Sequence, residues 1–299
     1  MPRHDMPANL NPDLRLVRAP NPSAMTEQGT NTWIVGRGAV AVIDPGPADG
    51  AHLAAILAVL GRGERVSHIL VTHAHADHSA LAPALARATG APVLAFGTAR
   101  DGMTAAMVQM AADGTGGEGL DHGFRPDIRL CDGQTVAGAG WSLTAIHTPG
   151  HLGGHLCFRW GMLGFSGDHV MAWSTSLVSP PEGDMAAYRR SLARLASQPW
   201  TTFLPGHGPP VADPAARLAE LAAHRGRRER EILAALHAAP ATPARLVKMI
   251  YTGLPARLHG AAERNVFAHL LDLANRNTVE SDAAPSPAAK FRLVPSKRP

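Results

Sequence analysis

Cysteine, tyrosine and long apolar runs are what this sequence has least of. Its two cysteines, Cys131 and Cys157, fall in no ligand motif. They could pair in principle, but they read as free, buried thiols of a cytosolic protein. No apolar stretch approaches the length of a membrane span, which argues against a transmembrane helix. The proline-rich start lacks the apolar core of a secretory signal, so the cytoplasm is the expected location. Aromatic residues are 5% of the chain and two are tyrosines, which leaves few platforms on which bases could stack. Excess charge is scarce too. The 28 Lys+Arg and 24 Asp+Glu differ by +4, and residues 281–299 alone carry Lys290, Arg292, Lys297 and Arg298 against Asp282, a net of +3. The body is therefore near +1, and the pI of 9.6 reflects a basic tail rather than a basic face.

Histidine is abundant by contrast, and it is patterned. The stretch THAHADH, residues 72–78, places His73, His75, Asp77 and His78 within six positions. VSHILV (66–71) before it is a short, β-branched apolar run that reads as a buried strand. Residues 79–89 after it read as a helix with Ser79 as its cap. A cluster where a strand ends and a helix begins lies where α/β proteins gather functional groups. Imidazole and carboxylate together suit zinc or iron. A structural zinc site is the bland alternative, but such sites usually close with cysteines.

Three further pieces follow strand-like runs. HTPGH ends at His151, FSGDH supplies Asp168 with His169 beside it, and LPGHG supplies His207. The runs ahead of them are WSLTAI (141–146), MLGFS (162–166) and TTFL (201–204). Upstream, LRLVR (14–18), NTWIVG (31–36) and AVAVID (39–44) are strands, the last ending in Asp44. APVLAF (91–96) is another strand, and helices are expected at 49–60, 99–112, 185–197 and 214–238. Met103, Met107 and Met110 stripe the 99–112 helix as core or pocket wall. HRGRRERE (224–231) reads as the solvated face of the long 214–238 helix, which Asp213 caps and Pro214 opens. Beyond it, ATPARLVKMIY (241–251), a helix over 260–275 and two short strands around 278–294 suggest a winged helix. The chain thus divides into residues 1–238 and a small unit over 239–299 with a basic tail.

The ordered motifs HxHxDH, His151, Asp168 and His207 resemble the metallo-β-lactamase superfamily. NPSAMTEQGTNT (21–32), GDHVMAWST (167–175), the HRGRRE stretch and GLPARLHGAAERNVFAHL (253–270) resemble one branch of it, with an appended winged helix. That branch includes a single-strand endoribonuclease and thioesterases of polyketide synthesis. The resemblance implies an α/β, four-layer αββα sandwich with a small C-terminal winged-helix domain. It implies a first metal on His73, His75 and His151, a second on Asp77, His78 and His207, and Asp168 as bridge. Asp44 would orient the ligand loop. The implied cofactor is two Zn2+, with iron or manganese as alternatives. The implied chemistry is hydrolysis by a metal-bridging hydroxide, with Asp77 and Asp168 as the catalytic carboxylates. Asn31 in the GTNT turn would offer amide donors to substrate, and His169 either lines the pocket or points away. Asp168 separates the chain from the antibiotic-hydrolysing zinc enzymes, and His75 from the diiron flavoproteins.

The favoured substrate at this level is the phosphodiester of single-stranded RNA, met by Lys290, Arg292, Lys297 and Arg298. An acyl or glutathione thioester is the alternative. A nucleic-acid-binding regulator with a structural metal is the competing class. Its reading helix would show Arg264, Asn265, His269 and Arg276 but also Glu263 and Asp272, a poor basic face for a groove. The winged unit then either covers the active site or joins a homodimer.

Overall fold

The alternating and continuous apolar runs of the first half build one sheet. The computed structural model describes residues 11–112 and 116–295. Residues 1–10 of the irregular stretch expected over 1–13, and Lys297 and Arg298 of the tail, lie outside them. Strands β1 (Leu14–Arg18), β2 (Asn31–Val35), β3 (Ala39–Ile43), β4 (Arg65–Leu70), β5 (Val93–Ala95) and β6 (Ile128–Arg129) lie side by side in that order. The first three pair antiparallel, and β3 to β6 run parallel. Helices α1 (Gly50–Ala58) and α3 (Ala82–Thr89) connect parallel strands, as such connections require. They cover one face, where Ile56 and Leu85 pack with Ile34, Val40, Val42 and Ile69.

The second sheet holds β7 (Thr135–Gly138), β8 (Trp141–His147), β9 (Leu156–Trp160), β10 (Leu163–Gly167) and β11 (Thr202–Pro205), in the order β11-β10-β9-β8-β7. Its inner face meets the first sheet through Leu143, Ala145, Phe158, Phe165 and Leu204 against Trp33, Val35, Ile43, Leu70 and Leu94. Trp33 is 1% exposed and meets Phe165 edge-on at 6.1 Å. Truncating such a side chain to alanine costs about 3–5 kcal/mol. The outer face is covered by α5 (Met185–Ala196) and the first half of α6 (Pro214–Ala238). Two sheets between two helical layers make the αββα sandwich.

Helix α6 is 25 residues long, so it spans more than one core. Asp213 caps it by accepting from the Ala216 amide, and Pro214 occupies its first turn. Leu218 and Leu221 pack on the second sheet, while Ile232 and Leu236 enter the winged-helix core. That core is built by α7 (Pro243–Ile250), α8 (His259–Asn275) and the hairpin β12 (Val279–Ser281) and β13 (Phe291–Leu293). Phe291 also exchanges backbone hydrogen bonds with Ala241, which ties the wing to the start of the unit.

Several expected elements differ. The helix expected at 79–89 is two pieces, α2 (Ala76–Ser79) and α3. Pro83 in the first turn of α3 has no N–H to continue α2. Ser79 closes α2 instead of capping it, donating to His75 O or Asp121 Oδ2. The helix expected at 99–112 begins only at Ala105, as α4 (Ala105–Ala112), because Asp101 accepts from Thr98 N and Thr98 Oγ1 in a turn. Met107 is buried against the winged core, with Met103 and Met110 packed beside it. Cys157 is buried as expected, but Cys131 is exposed where the chain turns into β7. The stretch 224–231 is not all solvated face: Arg225 is 2% exposed. Among the described residues no helix is long and apolar enough to cross a membrane.

Candidate metal centre

The parallel pairing decides where the functional loops meet. Strands β3, β4, β8, β10 and β11 all end at one rim of the sandwich. Asp44 follows β3. His73, His75, Asp77 and His78 follow β4, the last two on α2. His151, Asp168 and His207 follow β8, β10 and β11. Seven side chains from four loops therefore converge without any helix contributing more than one turn.

Their geometry falls into overlapping groups. His73, His75 and His151 bring ring nitrogens within 4.8 Å of one another, as do Asp77, His78 and His207 with a carboxylate oxygen. Within the first group His75 Nδ1 lies 3.0 Å from both His73 Nε2 and His151 Nε2. Within the second His207 Nε2 is 3.2 Å from Asp77 Oδ2 and 3.2 Å from His78 Nε2. Asp168 sits between them. Its Oδ2 is 3.7 Å from His151 Nε2 and 3.4 Å from His207 Nε2, and its Oδ1 is 3.4 Å from His78 Nε2. Gly206 lets this happen: a Cβ there would come within 2.7 Å of Asp168 Oδ1 and 2.5 Å of the His78 ring.

Four of the five rings are held at the nitrogen facing away from the cluster. His78 Nδ1 lies 2.9 Å from Asp44 Oδ2, His73 Nδ1 2.9 Å from Thr72 Oγ1, and His151 Nδ1 2.7 Å from Leu177 O. His207 Nδ1 faces Gly29 O at 3.4 Å. Asp44 also accepts from Thr72 N and Thr72 Oγ1, at 2.7 and 2.8 Å, so one carboxylate braces the start of the ligand loop and the His78 ring together. Its φ of +51° is a left-handed conformation that aspartate tolerates better than most residues.

Electrostatics divides the cluster. Burial, reinforced by His151, pushes His75 down to about 3, and burial with His78 holds His73 well below the ordinary imidazole range. These rings are neutral and offer lone pairs. On the other side burial opposes charge, but Asp168 and Asp77 outweigh it and push His207 up to about 9. Asp168 is held well below the carboxylate range, because His207 and His78 outweigh its burial. The carboxylates thus call for positive charge, and Asp168 Oδ1 is buried without a well-formed hydrogen bond. Converging neutral imidazoles, two ionised carboxylates and an orphaned oxygen fit a pair of divalent cations. The donor set is suited to a dinuclear metal.

One expected contact is corrected, and the choice left open for His169 falls on its pointing away from the site. Asn31 offers nothing to substrate. It is fully buried, its Nδ2 donates to Pro205 O and Gly208 O, and its backbone N–H donates to Gly206 O. It holds the His207 loop. His169 does not line the site either. It is fully buried in a second layer, tilted on Tyr188 at 4.5 Å and 5.6 Å from His155, which in turn lies 5.2 Å from His73. Sequence reading missed the outer partners Thr72, Leu177 and Gly29. Thr72 could have been found, since it opens the THAHADH stretch, whereas the other two act through carbonyls that carry no signal.

Comparison with known proteins bears on the same residues. A family model described as "Metallo-beta-lactamase superfamily" matches residues 25–207, and one described as "Beta-lactamase associated winged helix domain" matches residues 242–286. An atrochrysone carboxyl ACP thioesterase from Paecilomyces divaricatus is 31% identical over 84% of this chain and 73% of its own. A beta-lactamase-like protein 2 homolog from Drosophila melanogaster is 31% identical over 85% of each chain. A crystal structure of a beta-lactamase domain protein from Burkholderia ambifaria matches 98% of this chain and 96% of its own, with a TM-score of 0.78 at 23% identity, a likeness of fold.

Proposed function

The chain belongs to the metallo-β-lactamase superfamily, and on that premise we propose that it is a dinuclear zinc hydrolase of acyl thioesters. The observation that carries the hydrolytic reading is the convergence of seven side chains with the outer nitrogens of four rings already held. His73, His75 and His151 would hold one ion, Asp77, His78 and His207 the other, with Asp168 between. Five imidazoles, two carboxylates and no thiolate favour zinc over manganese. Bound there, the ions lower the pKa of water and polarise an acyl oxygen. The chain's own part is positional. Asp44 keeps the His78 Nδ1 proton and so directs Nε2 inward. Asp77 and Asp168 stay ionised and fix the charge of the site.

The choice of thioester over phosphodiester rests on charge and on relatives. The thioesterase from Paecilomyces divaricatus covers most of this chain. The RNA reading needs free cations on the wing, and Arg292 is paired with Glu280 at 2.8 Å. On and just beyond α8, which the regulator reading needs, Arg264 pairs with Glu118 at 2.9 Å, and Arg276 with Glu229 at 2.8 Å. The test is a parallel assay of zinc-loaded full-length protein on acyl-coenzyme A thioesters and on unstructured single-stranded RNA at low salt. Thioester hydrolysis without RNA cleavage is expected. RNA cleavage that weakens steeply with salt, with inert thioesters, would reverse the assignment.

A further inference from the structure

Two stretches do no work in the metal cluster itself, the HRGRRE stretch of α6 and the ERN stretch of α8. In the fold they meet. Arg225 of α6 is 2% exposed, and among the described residues it has no carboxylate partner within ion-pair distance. A buried cation without a counter-ion is costly, so its acceptors matter. Its Nη1 donates to Asn265 Oδ1 at 3.2 Å, its Nη2 donates to Ser176 O at 2.5 Å, and its guanidinium lies 4.9 Å over the Tyr188 ring. Asn265 Oδ1 accepts a second donor, the Val178 amide, at 3.1 Å. Two N–H groups on one atom fix which end of the amide is the oxygen.

The residues on either side of Leu177 are thereby pinned from the winged helix. Leu177 O is the acceptor of His151 Nδ1, at 2.7 Å. The same strap is tied at its other end, where Ser176 Oγ donates to Asp168 O at 2.5 Å or His169 O at 2.8 Å. We propose that Asn265 and Arg225 are positioning residues for the metal centre: from the winged helix they hold the 176–178 strap so that its carbonyl orients His151, making that unit a structural part of the site. The chain of contacts is short. A side-chain oxygen of α8 accepts from the Val178 amide, which belongs to the same peptide group as Leu177 O, and from the guanidinium that holds the preceding Ser176 carbonyl, and Leu177 O sets the tautomer and angle of one imidazole. Second-layer partners of this kind change metal affinity by about 10–100-fold when removed.

The proposal rests on the reading of His151 as a metal ligand. It is tested on full-length protein by zinc titration against a competing chelator, with cobalt spectra as a probe of ligand geometry and chemical denaturation as control. Asn265→Ala is expected to weaken one of two bound ions by tenfold or more and to alter the cobalt spectrum. Asn265→Asp keeps an acceptor for both donors and is expected to stay within about threefold of the parent. Arg225→Lys keeps the charge but loses the fork, and is expected to weaken the same ion even where Asn265→Ala does not fold. Arg276→Ala breaks the Glu229 and Asp272 contacts of the same interface and is expected to lower stability while leaving both affinities alone. Unchanged zinc affinity in Asn265→Ala and Arg225→Lys, or equal damage from Arg276→Ala, would reduce the pair to interface glue. Parent protein that binds no metal would instead overturn the ligand reading itself.

Discussion

Replacing Asp44 with alanine isolates the brace under the ligand loop. Asp44 is 2% exposed and takes three hydrogen bonds, from Thr72 N, Thr72 Oγ1 and the His78 ring. Hydrogen bonds to a charged group contribute roughly 1.5–3 kcal/mol each, and a buried donor left unpaired loses about as much. In the metal-free protein His73 can take the tautomer with a bare Nδ1, so Thr72 Oγ1 can donate to it, 2.9 Å away, and its loss is partly recovered. The Thr72 amide and His78 Nδ1 have no such replacement. Two stranded donors at about 1.5–2 kcal/mol each, with about 1 kcal/mol for alanine at a positive φ, give about 4–5 kcal/mol. Denaturant unfolding of metal-free protein measures this, and the same variant should bind zinc at least tenfold more weakly, since His78 loses its orienting partner. A loss under about 1 kcal/mol with unchanged zinc affinity would refute the reasoning, because it would mean the three contacts neither stabilise the loop nor direct the ring.

Asp168→Asn removes the charge between the two histidine groups, so bound metal should fall to one ion or none and hydrolysis by at least a hundredfold, checked by elemental analysis and steady-state kinetics. Native protein should show one fast-reacting thiol per chain, Cys131, because burial pushes Cys157 up to about 12; at pH 8 roughly one Cys157 in ten thousand is ionised. Mass spectrometry after brief alkylation reads the labelled residue. Glu64 is held below its ordinary value of 4.5 first by the hydrogen bond from Arg15, at 2.5 Å. Its folded pKa is depressed, so its contribution is full above pH 4.5 and fades as pH falls through the folded value. Glu64→Gln should therefore cost about 1 kcal/mol at pH 7 and progressively less as pH falls below 4.5, as followed by denaturant unfolding at each pH.

The sequence carried the strands of the rim because each ends in a motif. VSHILV, WSLTAI and TTFL are apolar runs that stop at a polar turn, and the chain beyond them carries the cluster. Strand β9, LCFRW, was not legible because its first three residues are buried and show no alternation. Strand β6 was not legible because its two residues are both exposed. The winged helix was readable from ATPARLVKMIY and the 260–275 stretch because their signals are local: Thr242 caps α7, Pro243 opens it, and Val266, Leu270 and Leu273 share the buried face of α8. Asn31 and Arg225 were misjudged, and His169 left open, for one reason: each is polar, and its role is set by a partner far along the chain. Asn31 meets Pro205 and Gly208, His169 lies on Tyr188, and Arg225 meets Ser176 and Asn265. A polar residue in a sequence does not announce whether its partner is water or a distant carbonyl.

The most direct measurement is anomalous diffraction at the zinc absorption edge from crystals of protein purified without chelator. The expected result is two peaks about 3.5–4 Å apart. One should lie about 2.0–2.1 Å from nitrogens of His73, His75 and His151, the other at similar distances from Asp77, His78 and His207, with Asp168 oxygens reaching both. A single peak, no peak, or metal bound away from these seven residues would contradict the account.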